Sequence, residues 1–256
     1  MQGVKIECRA QLPEGPVRPQ VLLPVLQDLS NALTEIALRN AEQAGQTVSC
    51  RAGCGACCRQ LVPISAVEAE ALVAWLGEQP EERQAVLHER FRQTAARLEE
   101  SGIAAEIRAI RWKRPDRESA DQLGLRYFAL GMACPFLEEE QCTIHAIRPL
   151  RCREYLVVSS PEHCANPAGK EIEGIRPPVL LSRIVSRWDA VGQVQPEPEL
   201  IALAMLEEWF ASRAAAQEEP HRTAPALLQE FLGALAKENQ PPPAGENRPP
   251  LPEVLP

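Results

Sequence analysis

The sequence predicts a mainly α protein: a single compact helical domain with irregular cysteine-bearing loops, one short β-hairpin and a disordered proline-rich tail. Three observations predict it. Apolar residues recur at spacings of three and four along most of the chain. Capping and stop residues bound those stretches. Eight of the nine cysteines fall between the stretches rather than inside them.

Residues 1–19 carry Pro13, Pro16 and Pro19 without sustained periodicity, and read as a lead-in segment. Leu22, Val25, Leu26, Leu29, Leu33, Ile36 and Ala37 then mark a first helix, with Pro24 in its opening turn and Gly45 as its stop. A glycine-punctuated loop with four cysteines follows. Ser65 and Glu68 have capping-box spacing and open a helix to about Leu76. Glu81 to Ser101 reads as a charged amphipathic helix with Val86, Leu87, Phe91 and Leu98 on its drier side and Gly102 beyond its end.

Residues 103–131 read as further helix broken by Pro115. Cys134-Pro135-Phe136-Leu137 and Cys142-Thr143-Ile144-His145 read as two very short strands around an acidic turn, so one hairpin can hold two cysteines at a fixed separation. After Pro177 and Pro178 come a helix through Leu180, Ile184, Val185 and Trp188, and another from about Pro198 to Ala214. Thr223 caps a last helix with Leu227, Leu228, Phe231, Leu232 and Leu235. The domain thus runs over 20–238, its cysteine region over about 46–165, and the tail over 239–256. Pro241-Pro242-Pro243 could form a polyproline II segment for a protein partner, although a solvated tail is the expectation.

A chain of 256 residues can bury enough surface to fold without disulfides, so stability does not account for the cysteines. Aromatic residues make up only 4%, which calls for a mostly aliphatic core. The formal charge of -8 argues against general affinity for nucleic acid or anionic membrane. No apolar run approaches spanning length; Val21 to Leu26 is short and interrupted by Pro24. The first residues lack a basic region followed by an apolar run, so a cytoplasmic location is expected. In that reducing compartment cysteines read as metal ligands or redox groups before they read as disulfides.

Cys50, Cys54, Cys57 and Cys58 place four thiols within nine residues, and Cys134, Cys142, Cys152 and Cys164 return later; all eight are candidate metal ligands. Thiolate sulfur is a soft donor suited to zinc and iron. Gly53 and Gly55 ease the turns that let neighbouring sulfurs converge. Cys57 and Cys58 are adjacent, so both can hardly complete one tetrahedral site with Cys50 and Cys54. The later cysteines then supply a second metal or a dinuclear centre, or the set feeds an iron–sulfur cluster. Cys8 stands apart and reads as dispensable. Arg51, Arg59, Arg148, Arg151 and Arg153 lie beside the cysteines and could offset the negative charge of a tetrathiolate centre, with at least two of the five expected to be exposed or paired with Glu138, Glu139, Glu140 and Glu154. Tyr155 and Asn166 could donate hydrogen bonds to it.

These residues resemble a known group. Cys50-x3-Cys54-x2-Cys57-Cys58, then Cys134-Pro135-Phe136-Leu137, Cys142-Thr143-Ile144-His145 and Arg148-Pro149-Leu150-Arg151-Cys152-Arg153, are similar to the cysteine-cluster family of zinc- or iron-chelating domains. The chain departs from that pattern at His145, where the family usually has tyrosine. The resemblance implies a metal-binding fold more firmly than a reaction. Flagellin lysine N-methylases are similar over the cysteine motif, which implies methyl transfer to a protein lysine as one chemistry. The order of Cys50, Cys54 and Cys57 is also that of radical S-adenosylmethionine enzymes, but helices on both sides of the loop disagree with their barrel.

Other constellations carry less. Arg108, Arg111, Lys113, Arg114 and Arg117 surround Trp112, a pattern that reads as a solvated helix face before a nucleic-acid contact. His88, His145, His163 and His221 are too scattered for a histidine metal motif, and His163 reads as a surface residue. The expectation is a thiolate-ligated centre, with an iron–sulfur cluster placed ahead of zinc. As an enzyme the protein would be an iron–sulfur oxidoreductase or a cluster-dependent methyltransferase. The competing class is a structural-zinc protein for metal handling or partner binding.

Overall fold

The computed structural model describes residues 6–7, 9–111, 115–167, 171–188, 194–195, 197–213 and 222–238. The tail at 239–256, Cys8, Trp112 and His221 lie outside these residues, as do the expectations attached to them. The fold is mainly α, as the sequence predicts. A two-residue strand β1 (Pro16–Val17) and a short 3-10 turn (Pro19–Leu22) lead into α1 (Leu23–Gln43). A second 3-10 turn (Ala56–Arg59) precedes β2 (Pro63–Ile64), α2 (Ala66–Gly77), α3 (Glu81–Glu100), α4 (Ala104–Ala109) and α5 (Arg117–Ala129). Strands β3 (Leu137–Glu138) and β4 (Gln141–Cys142) are followed by α6 (Leu150–Glu154), β5 (Leu156–Val157), α7 (Pro161–Ala165) and β6 (Gly174–Ile175). Then come α8 (Leu181–Val185), β7 (Ile201–Ala202), α9 (Leu206–Arg213), β8 (Arg222–Thr223) and α10 (Ala224–Glu238).

The sequence signals act as elementary chemistry requires. Gly45 and Gly102 follow α1 and α3 with φ of +76° and +77°, the left-handed conformation that ends a helix cheaply when no Cβ is present. Asp116 accepts from the Ser119 N–H at 2.9 Å and caps α5. The two halves of 103–131 are separate helices, with the break spanning Pro115.

Three features go beyond the sequence reading. Residues 1–19 are not only a lead-in, because β1 pairs antiparallel with β8 and Ile6, Leu12 and Val17 pack on the core. The β structure exceeds one hairpin: β2 pairs with β7 and β5 with β6 as well as β3 with β4, all antiparallel. The helical run Pro19–Gln43 is, by length and composition, apolar enough to cross a membrane, which amends the expectation that nothing approaches that length. Its buried face, Leu22, Leu23, Leu26, Leu33, Ala37 and Ala41, lies in the core of this fold.

The core is built from three aliphatic-rich clusters. One joins α1, α8 and α10 around Trp188 and Phe231, whose rings meet edge to face at 5.7 Å. A second joins α2, α3 and α9 with Phe136 and Ile144 from the cysteine hairpin, and a third gathers α4 and α5 around Leu98, Ile107 and Tyr127. Among the described residues, three cations of the basic run form ion pairs, Arg108 with Glu99 and Glu208, Arg111 with Glu199 at 2.7 Å, and Arg117 with Asp121 at 3.7 Å, while Lys113 and Arg114 lie outside those residues.

Two buried carboxylates lock α6 into place. Glu68, 4% exposed, accepts from Ser65 N at 3.0 Å and Ser65 Oγ at 2.7 Å, completing the capping box, and its other oxygen accepts from Leu150 N at 2.7 Å. One side chain thus serves the first turns of both α2 and α6. At the far end of α6, Glu154 accepts from Ser182 N at 3.0 Å and from the Ser182 hydroxyl, tying α6 to α8. Burial raises the Glu154 carboxyl to about 7, against the opposing effect of the Ser182 bonds.

Glu68→Ala strands the Ser65 and Leu150 amides and is expected to cost about 2–4 kcal/mol in a denaturant titration; an effect within a few tenths would show that the carboxylate is not a keystone. Glu154 has a folded pKa above its unfolded value, so its contribution is complete at pH below about 4.5 and is lost as the pH rises through about 7. Stability measured against Glu154→Gln should therefore shift in favour of the variant across that window.

Candidate metal centre

The eight described cysteines are all free thiols. They come from four places: the loop before β2, the β3–β4 hairpin, α6 and α7. In the loop, Cys54 N donates to Arg51 O at 3.2 Å, closing a turn whose Gly53 has φ +79°. That conformation is what the glycine is for. Gly55 serves differently. Its φ is an ordinary -90°, but an added Cβ would collide with the Glu140 carboxylate and stand 3.1 Å from Leu137 Cδ1. The bare backbone lets the hairpin sit against the loop.

The hairpin is held on three sides. Phe136 is fully buried between Trp75 and Phe91, edge to face at 6.1 Å and 5.4 Å. Glu138 pairs with Arg83 and Arg90 of α3. Glu140 receives both terminal nitrogens of Arg59, at 3.0 Å and 2.6 Å, and Arg59 also donates to Gly55 O at 2.9 Å. At the centre, Cys134 N donates to Cys58 O at 2.7 Å. The hairpin turn places Glu139 and Glu140 at φ 48° and 61°, the type I′ geometry normally given to Asn-Gly. The ion pair of Glu140 explains why glycine does not stand there.

Hydrogen bonds already prepare three sulfurs for negative charge. Val157 N donates to Cys50 Sγ at 3.4 Å. Phe136 N–H and Ile144 N–H donate to the sulfurs of Cys134 and Cys142, each two residues along the chain. Such N–H···S bonds stabilise thiolate and tune a bound metal. Strand β5 reaches Cys50 because Ser49 N donates to Val157 O at 2.9 Å.

Burial raises the thiols of Cys50, Cys134, Cys142, Cys152 and Cys164, with Cys134 pushed to about 12 and Cys164 to about 11. Neighbouring sulfurs raise them further, because each added thiolate repels the last. Cys57 is the exception: a hydrogen bond from the Cys58 thiol holds it down to about 7 despite burial, and Arg148 adds to that lowering. Cys58 is raised correspondingly as the donor. A pocket that crowds thiols and opposes their ionisation as protons leave is one in which a cation is the natural counter-charge. Among the described residues, no three His, Cys, Asp or Glu side chains are yet drawn in tightly enough to grip one ion.

The five arginines divide. Arg148 acts on Cys50, Cys57 and Cys142, its Nε is buried without a hydrogen-bond partner, and one terminal nitrogen bonds His145 Nε2 at 2.7 Å. Arg59 belongs to Glu140. Arg153, 5% exposed, braces the chain by donating to Arg148 O at 3.0 Å, to Asn31 Oδ1 at 2.9 Å and to Ala146 O. Arg151 lies beside Glu154, and Arg51 is exposed on the loop turn. His145 is exposed and its Nε2 lone pair is taken up by Arg148, so that nitrogen is committed away from metal ligation. His163 Nδ1 donates to Glu171 O, 2.9 Å away. Tyr155 OH accepts from Gln60 Nε2 at 3.2 Å, which leaves its own proton available, and burial raises it to about 12 with Cys164, Cys57 and Cys50 adding to the shift.

Sequence reading missed Glu68 as the anchor of the Cys152 helix, Val157 as a donor to Cys50, and Gln60. The capping-box spacing pointed to Glu68 but not to its second partner 82 residues away. Nothing local marks Val157.

Residues 49–171 match the model of the CxxCxxCC family, described as "Putative zinc- or iron-chelating domain". All eight cysteines fall inside the match, and zinc or iron is the pair of metals that this donor set suits. No curated protein and no solved structure matches the chain; a likeness to flagellin lysine N-methylases is therefore not among the findings.

In metal-free protein, Cys57 should alkylate with a pH midpoint well below the ordinary thiol value of 9.0, and Cys58→Ala should move that midpoint upward by removing the donor. A midpoint near 9 in the unmodified chain contradicts the thiol pair. Replacing strained Glu139 by Asn should raise stability by about 0.5–1 kcal/mol in thermal unfolding, whereas a loss would show that the turn is not of the I′ type.

Proposed function

We propose that this protein uses its eight clustered cysteines to hold a thiolate-ligated metal centre, with iron–sulfur chemistry ahead of zinc, for electron transfer or a cluster-dependent reaction. The observation that carries the reading is that Cys50, Cys134 and Cys142 already receive backbone N–H bonds, while the Arg148 guanidinium acts on Cys50, Cys57 and Cys142. Those are the two devices that offset the net negative charge of a tetrathiolate centre and set its potential. A bound cluster would supply one-electron transfer. The chain's own part is to gather the sulfurs through the hairpin and α6, to offset their charge with Arg148, and to donate from Val157, Phe136 and Ile144. Tyr155 stands ready to donate to sulfur through its free hydroxyl proton.

Structural zinc is the second reading, favoured by how much of the hub is irregular backbone that a closed tetrahedral ion would fasten. Two cavities among the described residues, about 520 Å³ beside His88 and Met205 and about 410 Å³ beside Arg187 and Lys237, are not lined by cysteine. Methyl transfer to a protein lysine ranks behind both readings, because a shared cysteine motif does not fix a reaction.

Anaerobically purified protein should carry stoichiometric iron and visible charge-transfer absorption; a colourless protein with stoichiometric zinc turns the conclusion to the second reading, and a metal-free one removes both. Cys54→Ser and Cys152→Ser are each expected to lower metal content, while Cys8→Ser retains it. Full retention in Cys152→Ser would confine the centre to the loop.

A further inference from the structure

We propose that the cysteines form two four-thiol sites of unequal access. The inner site is Cys58, Cys134, Cys142 and Cys152; the outer is Cys50, Cys54, Cys57 and Cys164. The outer site exchanges a soft metal ion with solvent while the inner one keeps its own. The inference rests on the metal-centre reading above and divides it.

Backbone connections separate the two groups. Cys58 O accepts from Cys134 N at 2.7 Å, and the hairpin carries Cys142 opposite Leu137, so these three sulfurs share one brace. Cys152 joins them on α6, fixed by the bond from Leu150 N to Glu68. The second group is organised by β5. Its Val157 N–H reaches Cys50, the chain then turns into α7, and α7 packs on the 3-10 turn that holds both Cys57 and Cys58. Cys54 follows Cys50 by a single closed turn. The electrostatic neighbours agree: Cys50, Cys57 and Cys54 act on Cys164, whereas Cys134 and Cys142 act on both Cys58 and Cys152.

Cys57 acts on members of both groups and is the sulfur between them. A tetrahedral ion takes four ligands, and Cys58 already completes the inner four, so Cys57 falls to the outer. The two neighbouring sulfurs, which share the Cys58-to-Cys57 hydrogen bond in the metal-free chain, would then each be claimed by a different ion.

Access differs for a physical reason. Cys164 is buried, but Cys50, Arg51, Ala52 and Gly53 of the outer group are exposed on an irregular turn, while Cys134 and Cys142 pack against the cluster of Phe136, Ile144 and Ile64 and are clamped by ion pairs to α3. Segments with few buried contacts open at lower free energy, and ligand exchange follows opening.

The test uses the full chain, freed of metal and reloaded with Zn²⁺, then challenged with a chromophoric chelator while helical content is followed by circular dichroism. Two zinc ions per chain are expected, released in two phases whose rates differ by about tenfold or more. Cys54→Ser should keep one ion and only the slow phase; Cys142→Ser should keep one and only the fast phase. If Cys142→Ser does not fold, Cys54→Ser decides alone, because a retained slow ion supports the division and loss of both ions overturns it. One ion per native chain, or a single release phase, overturns the division and leaves the metal-centre reading standing. A native chain that takes up neither zinc nor iron overturns that reading itself.

Discussion

The buried Glu68 carboxylate is the constraint on which the remaining structure depends. It is spent on three donors, Ser65 N, Ser65 Oγ and Leu150 N, and so welds the start of α2 to the start of α6. Helix α2 begins directly after the cysteine loop and β2, and α6 carries Cys152. Two distant parts of the cysteine set therefore meet because one acid has no water to bond with and must find its partners in protein.

Around that weld, the metal-binding region is fastened to helices rather than built from them. Phe136 plugs the hairpin into the α2–α3 core, Glu138 and Glu140 tie it to Arg83, Arg90 and Arg59, and Val157 ties the loop to β5. Irregular backbone can then point sulfurs and amides inward, which a regular helix could not do. The strain at Glu139 and Glu140 is tolerated because the surroundings fix the turn from both sides.

What could be read beforehand was local. Ser65 and Glu68, Gly45 and Gly102, and the acidic turn of the hairpin carry their own signals of spacing and stop, although the paired strands are Leu137–Glu138 and Gln141–Cys142, so Cys134 and residues 143–145 lie outside the strands expected there. The helical class and the cysteine region followed from those. The long-range ties could not be read. Two-residue strands such as β1 with β8, or β2 with β7, have no periodicity, and their partners lie far along the chain. Leu150 N and Val157 N are backbone donors, which no side-chain identity announces. The Glu139-Glu140 turn lacks the Asn-Gly signature, and its reason, the Arg59 pair, exists only once loop and hairpin are together.

The central claim is that these sulfurs close on a soft metal. X-ray absorption at the metal edge of the anaerobically purified chain tests it most directly. The account predicts a first shell dominated by sulfur at about 2.3 Å. A shell of nitrogen and oxygen, or cysteines found joined pairwise as disulfides with no metal bound, would contradict it.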